Sequence, residues 1–189
     1  NTYCVIMAGG IGSRFWPMSR ATHPKQFLDI LGTGETLIQQ TFNRHLKICP
    51  KENIFIVTNY NYKELVLEQL PGIKPEQVLL EPARRNTAPC IAYAMYKIVS
   101  LNPDANVIIA PSDHLILKTE EYLQIINTAI DQTGKADCLV TLGIRPTRPD
   151  TGYGYIQFDT RNKQAESNVK KVKTFTEKPD HELAVKFLE

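Results

Sequence analysis

Tyr3-Cys4-Val5-Ile6-Met7-Ala8-Gly9-Gly10-Ile11-Gly12-Ser13-Arg14 is an apolar run that passes directly into three glycines and a cation. Tyr3 to Met7 reads as a buried strand. The glycines then begin a turn in which no Cβ keeps backbone N–H groups from an anion. In an open α/β sheet, ligands bind beyond the carboxyl ends of the strands. Phosphate binding therefore accounts for this turn better than simple flexibility. The third glycine of a dinucleotide fingerprint would fall at Phe15, and no Gly-Lys-Ser or Gly-Lys-Thr of a P-loop follows.

Further strands are expected at Asn53 to Val57, Val78 to Leu80, Asn106 to Ala110 and Cys138 to Leu142. Such continuous Val, Ile and Leu runs suit a parallel sheet covered on both faces. Between them lie helical stripes: Ile38, Phe42, Leu46 and Cys49; then Tyr62, Leu65, Val66 and Leu70, stopped by Pro71-Gly72. Ile91, Met95, Ile98 and Val99 form a third, and Tyr122, Ile125, Ile126, Ala129 and Ile130 a fourth. The alternation predicts an α/β fold: a doubly wound, mostly parallel Rossmann-like sheet with helices on both faces. Tyr153 to Phe158 and Val169 to Phe175 alternate like a smaller antiparallel portion near the C-terminus, and Asp180 is placed to cap a last helix.

With 189 residues, of which 42% are hydrophobic and 22% charged, one globular domain over 1–189 is expected. A net charge of +2 is too mild for a nucleic-acid binder. No apolar run approaches a membrane span, so no membrane association is expected. Cys4, Cys49, Cys90 and Cys138 form no Cys-x-x-Cys pair, which leaves zinc little support. Cys4 and Cys138 read as small core residues. A reducing cytoplasm is the simpler location. Asn1 stands at a strand edge and Glu189 inside a helical pattern, so a longer parent protein is expected; a homo-oligomer is compatible with the pattern.

Arg14, Arg20 and Lys25 lie close together around Pro17 and Pro24. The prolines make a rigid, non-helical excursion, and the cations suit a triphosphate, Arg as a planar fork and Lys as a point charge. Asp113, in Ala110-Pro111-Ser112-Asp113-His114, is either a Mg²⁺ ligand at a strand's carboxyl end or a turn or cap residue. His114 reads as a core or hydrogen-bonding neighbour and is assigned no catalytic role. After the third strand comes Glu81-Pro82-Ala83-Arg84-Arg85-Asn86-Thr87-Ala88-Pro89. Asn86 or Thr87 there can cap the next helix, or offer donors and acceptors to a base edge. Thr151-Gly152-Tyr153-Gly154-Tyr155-Ile156 reads as a turn into a hairpin, and Thr176-Glu177-Lys178-Pro179 contains an ordinary surface ion pair.

In their order, these segments resemble the sugar-phosphate nucleotidyltransferase family, over essentially the whole chain. The runs Phe15-Trp16-Pro17, Pro24-Lys25-Gln26-Phe27 and Arg85-Asn86-Thr87-Ala88-Pro89 resemble its mannose-1-phosphate guanylyltransferase branch. The resemblance implies GTP and mannose 1-phosphate as substrates, Mg²⁺ as cofactor, and GDP-mannose and pyrophosphate as products. Arg14, Lys25 and Asp113 would be catalytic, with Asp113 the metal ligand. Ala8, Gly9, Gly10, Gly12, Glu81, Asn86 and Thr87 would bind the nucleotide. Gly154, Glu177 and Lys178 would meet the sugar phosphate. A second metal-binding Asp and a carboxy-terminal domain would lie past residue 189, and Thr176 stands where an apolar residue is more usual. Another base or sugar, a non-catalytic nucleotide-sugar-binding subunit and a bifunctional protein with an isomerase domain are the alternatives.

Overall fold

The computed structural model describes residues 1–10, 12, 15–159 and 169–188. Residues 1–189, expected as one domain, form two compact units, 1–130 and 131–189.

The first unit is built on four strands, β1 (Thr2–Met7), β2 (Ile54–Thr58), β3 (Val78–Leu80) and β4 (Asn106–Pro111). All pair in parallel in the order β3-β2-β1-β4. Their residues alternate between two cores. Cys4, Ile6, Ala8, Ile54 and Ile56 pack with Ile38 and Phe42 of α1 (Leu37–His45) and Val66 of α2 (Lys63–Gln69). Val5, Phe55, Val57 and Leu79 face the other way, onto Cys90, Ala94 and Ile98 of α3 (Thr87–Leu101). A doubly wound sheet with helices on both faces follows directly. Burying an aliphatic side chain such as Ile6 or Ile56 contributes roughly 1.5–3 kcal/mol. α4 (Thr119–Thr133) meets α1 through Tyr122, whose ring stands edge-on to His45 with centroids 5.9 Å apart.

Two of the expected stripes are rotated. α3 buries Cys90, Ala94 and Ile98, while Val99 is exposed. Small residues let a helix approach a sheet closely, and that outweighs the greater hydrophobicity of Ile91 and Val99. α4 buries Leu123 and Ile126, and Ile125 is exposed. On α1, Leu46 just beyond the helix is exposed although Ile38, Phe42 and Cys49 are buried.

In the second unit, β5 (Tyr155–Phe158) and β6 (Val172–Thr176) pair antiparallel, as expected. Asp180 caps α5 (His181–Lys186) by accepting a hydrogen bond from Leu183 N at 2.8 Å. The expected strand at Cys138 to Leu142 does not form: these residues are irregular, Leu139 is fully exposed and Cys138 is exposed. An apolar run becomes a strand only by satisfying its main chain against a neighbour, and no described strand pairs with this one. No helix among the described residues is long and apolar enough to cross a membrane.

Candidate active site

Strand order in the first unit runs outward from β1 through β2 to β3, then returns to β4 on the other side of β1. The crevice past the carboxyl ends of β1 and β4 is thus the switch point where α/β sheets bind ligands. The glycine turn leaves β1 there, and the Pro111-Ser112-Asp113 turn leaves β4 beside it.

Lys25 and Asp113 meet at this place. The ammonium lies 2.6 Å from Asp113 Oδ2, and both side chains are about a quarter accessible, 28% and 26%. Lys25 is carried by a short 3₁₀ turn, Lys25–Phe27, and its Nζ also lies 5.3 Å from the centre of the Phe15 ring. The excursion therefore includes one helical turn inside its rigid frame. Asp113 is consequently an ion-pair partner, and its turn is fixed from behind. Ser112 N donates to Met7 O at 3.0 Å, and Thr41 Oγ1 donates to Ser112 O at 3.3 Å.

Glycine is required at one point of the turn after β1. Gly12 has φ +63°, and a Cβ on it would lie 2.5 Å from Ser19 Oγ and 3.0 Å from Lys25 N. A Cβ on Gly9 would lie 3.0 Å from Glu81 Oε2. That contact brings Glu81, at the carboxyl end of β3, against the turn. Glu81 also faces Cys90; burial first, and then the nearby carboxylate, push the Cys90 thiol up to about 12. Ala8 is buried, Gly9 half-buried and Gly10 exposed. Arg14 lies outside the described residues.

The turn rests on Gln26, a residue not singled out from sequence. Its Nε2 donates to Ala8 O at 3.0 Å and to Gly10 O at 2.8 Å, and the residue is only 2% exposed. Thr58 Oγ1 also donates to Ala8 O, at 3.0 Å. The available signal is a polar residue enclosed between prolines, cations and Phe27, next to Lys25.

Asn86 precedes α3 with φ 66° and ψ −166°, and its side chain makes no cap hydrogen bond. Capping therefore does not explain Asn86. That backbone region is largely glycine's and costs on the order of 1–3 kcal/mol. Asn86 and Thr87 are exposed at the start of α3, while His114 is exposed rather than a core neighbour.

The second unit brings together its three candidate residues. A Cβ on Gly154 would lie 2.8 Å from Glu177 Oε2, so glycine makes room for that carboxylate. Glu177 pairs with Lys178 at 2.8 Å, with both side chains largely exposed, and Lys178 has φ 43°. Asp150 shapes the preceding turn: its Oδ1 accepts from Gly152 N at 2.8 Å, and Arg148 bonds its Oδ2. The Arg148 guanidinium, then the Gly152 amide, hold the Asp150 carboxyl below its ordinary range.

Asp113 offers a hard oxygen donor at the crevice. No group of three or more His, Cys, Asp or Glu able to hold a metal occurs among the described residues. This donor set fits Mg²⁺, which takes one or two carboxylates and completes its shell with substrate phosphates and water. It does not fit a dedicated protein cage.

The nucleotidyl transferase family model matches residues 3–189. The alginate biosynthesis protein AlgA of Pseudomonas aeruginosa is 39% identical over 186 residues, 97% of this chain and 38% of that protein. The mannose-1-phosphate guanylyltransferase of Sinorhizobium fredii is 40% identical over 187 residues, 97% of this chain and 36% of that protein. Among solved structures, mannose-1-phosphate geranyltransferase from Thermus thermophilus matches with a TM-score of 0.85 at 32% identity, covering 99% of this chain and 53% of that one. Mannose-6-phosphate isomerase from Helicobacter pylori matches with a TM-score of 0.75 at 30% identity, covering 98% and 64%. The chain spans less than two thirds of each of these relatives.

Proposed function

The chain belongs to the nucleotidyl transferase family, and from that premise we propose that the full-length protein transfers GMP from GTP to mannose 1-phosphate. The supporting observation is the Lys25 ammonium paired with Asp113 at 2.6 Å, in the switch-point crevice beside the glycine turn. The choice of guanine and mannose rests on relatives such as the Sinorhizobium fredii guanylyltransferase.

In this reading a phosphate oxygen of mannose 1-phosphate attacks the α-phosphorus of GTP. The bond from that phosphorus to the bridging oxygen breaks, and pyrophosphate leaves with the electron pair. The nucleophile is already anionic, so the protein need not remove a proton. Its work is positioning and charge cancellation. Backbone of Ala8, Gly9, Gly10 and Gly12 faces the triphosphate, and Lys25, with Arg14 by resemblance, neutralises the departing pyrophosphate. Asp113 holds Mg²⁺. Mg²⁺, when bound, offsets triphosphate charge and withdraws electron density from the reacting phosphoryl group. Glu81, Asn86 and Thr87 serve the nucleoside, and Gly154, Glu177 and Lys178 the sugar and its phosphate.

Product identification tests this reading. Full-length protein is incubated with Mg²⁺, each common nucleoside triphosphate and several sugar 1-phosphates. GDP-mannose as the dominant product is expected. A UDP- or dTDP-sugar as the dominant product, or none at all, would overturn the assignment.

A further inference from the structure

We propose that Gln26 is a positioning residue for phosphate recognition: its amide turns the peptide planes of the glycine turn so that their N–H groups face the anion. This rests on the nucleotide site proposed above and identifies what sets its geometry.

A primary amide has two N–H donors. Gln26 directs both at main-chain carbonyls of the turn, those of Ala8 and Gly10, at 3.0 and 2.8 Å. In a planar trans peptide the C=O and N–H point in opposite directions. A carbonyl drawn down to Gln26 therefore turns the N–H of the same plane away from it. For the Ala8–Gly9 plane that group is Gly9 N–H. Gln26 is 2% exposed, whereas Gly9 is half-buried and Gly10 exposed, so the side away from Gln26 is the open one.

The Ala8 plane is held doubly, because Thr58 Oγ1 donates to the same carbonyl at 3.0 Å. Ala8 N itself donates to Val57 O at 2.7 Å, which fixes the start of the turn to the sheet. Gln26 is held in turn by its own segment. Phe27 N donates to Pro24 O at 2.9 Å, and Phe27 is 1% exposed against the tilted ring of Tyr62. The same short segment thus delivers Lys25 to Asp113 and Gln26 to the glycine turn. Side-chain chemistry restricts this position. Glu is the same shape but, when ionised, has no donor and repels both carbonyls. Leu fills the space and leaves the carbonyls unpaired. Neither can select one orientation of the planes.

The experiment uses full-length wild type, Gln26→Glu and Gln26→Leu, with thermal melting and calorimetric titration of GTP and of guanosine. GTP affinity is expected to fall at least about tenfold in both variants, with guanosine affinity within about twofold of wild type. The loss in turnover should appear in KM for GTP, with KM for mannose 1-phosphate unmoved. A merely structural role would weaken GTP and guanosine together, and that result overturns the proposal. So does unchanged GTP affinity in a folded variant. If neither Gln26 variant folds, Thr58→Val carries the test: it removes one donor to Ala8 O, and a smaller GTP-selective loss is expected. No GTP-selective loss there overturns the proposal. Wild-type protein that binds GTP no more tightly than guanosine sinks both this inference and the nucleotide site. A wild-type phosphate-dependent gain that survives in the variants sinks this inference alone.

Discussion

In residues 1–130, the glycine turn rests on Gln26, 2% exposed, and on Thr58, fully buried, and Lys25 and Asp113 pair with three quarters of each side chain covered. In residues 131–189, Glu177 and Lys178 pair with side chains 72% and 63% exposed, on a two-stranded ribbon with Phe175 largely in solvent. The first arrangement is held from within: Gln26 and Thr58 bond the turn's carbonyls, and the partly buried Lys25 and Asp113 hold each other. The second is adjustable, since an exposed ion pair contributes only about 0–1 kcal/mol and easily exchanges partners. Under the proposed function, the first set would suit a polyanion that must be reached in line, and the second a sugar phosphate met by side chains that settle around it.

The contrast predicts a gradient of mutational effects, all measured in the full-length protein. Asp113→Asn keeps the shape and removes the charge. It should lower kcat by about a hundredfold or more while melting close to wild type, because the Lys25 pair is only partly buried. Near-normal turnover at limiting Mg²⁺ would remove Asp113 from the site. Lys25→Ala should lower kcat/KM by more than about tenfold, or about 1.4 kcal/mol of transition-state stabilisation. Wild-type kinetics would make Lys25 a solvated surface charge.

Gly12→Ala sharpens the comparison on the stability side. The new Cβ meets Lys25 N at 3.0 Å with φ +63°, so backbone has to move. Roughly 1–3 kcal/mol of destabilisation is expected in urea unfolding, with loss of GTP binding. An unchanged midpoint would show that the turn is looser than this geometry requires.

The rigid half also carries a pH dependence. Burial holds His45 below the ordinary histidine range; the Thr41 carbonyl opposes this shift and Arg44 adds to it. His45 is then neutral when folded and takes a proton more readily when unfolded. Its contribution to stability is present above the ordinary histidine value of about 6.5 and is lost as pH falls toward its lower folded value. Unfolding free energy should therefore decline between about pH 7.5 and 5.5, and His45→Gln should flatten the decline. An equal slope in the variant would assign the effect elsewhere.

Gly154→Ala should have the smallest effect on stability, within about 0.5 kcal/mol. Its Cβ meets the far end of the Glu177 side chain at 2.8 Å, and that carboxylate can swing away. KM for mannose 1-phosphate should rise, with KM for GTP unchanged. A rise for GTP instead would break the division between the two halves.

The legible parts of the sequence are those whose physics is local. β1, β2, β3 and β4 lie within a residue or so of the expected runs, because a strand covered on both faces is apolar throughout. Cys138 to Leu142 has the same composition and no strand, because pairing depends on a neighbour that composition does not reveal. The face of α3 is hidden from the sequence because that helix is apolar nearly all round, and close packing selects Cys90 and Ala94 over larger residues. Gly12 and Asp113 follow from turns that leave strand ends, but the pairing of Lys25 with Asp113 does not, because Lys25 arrives on a separate short turn whose placement against β4 is a tertiary matter. Nor does Gln26 follow, since a glutamine reads as exposed until both of its donors are seen to be used. Asn86 reads as a cap until its positive φ and unbonded side chain exclude that role.

The most direct test of guanylyl transfer follows the radiolabel of GTP carrying ³²P at the α or the γ position, in parallel reactions of the full-length protein with mannose 1-phosphate and Mg²⁺. Guanylyl transfer predicts α-label in the sugar nucleotide and γ-label in pyrophosphate, in equal molar amounts, with both signals collapsing in Lys25→Ala and Asp113→Asn. Release of γ-label as inorganic phosphate, or α-label that never leaves GTP, would contradict it.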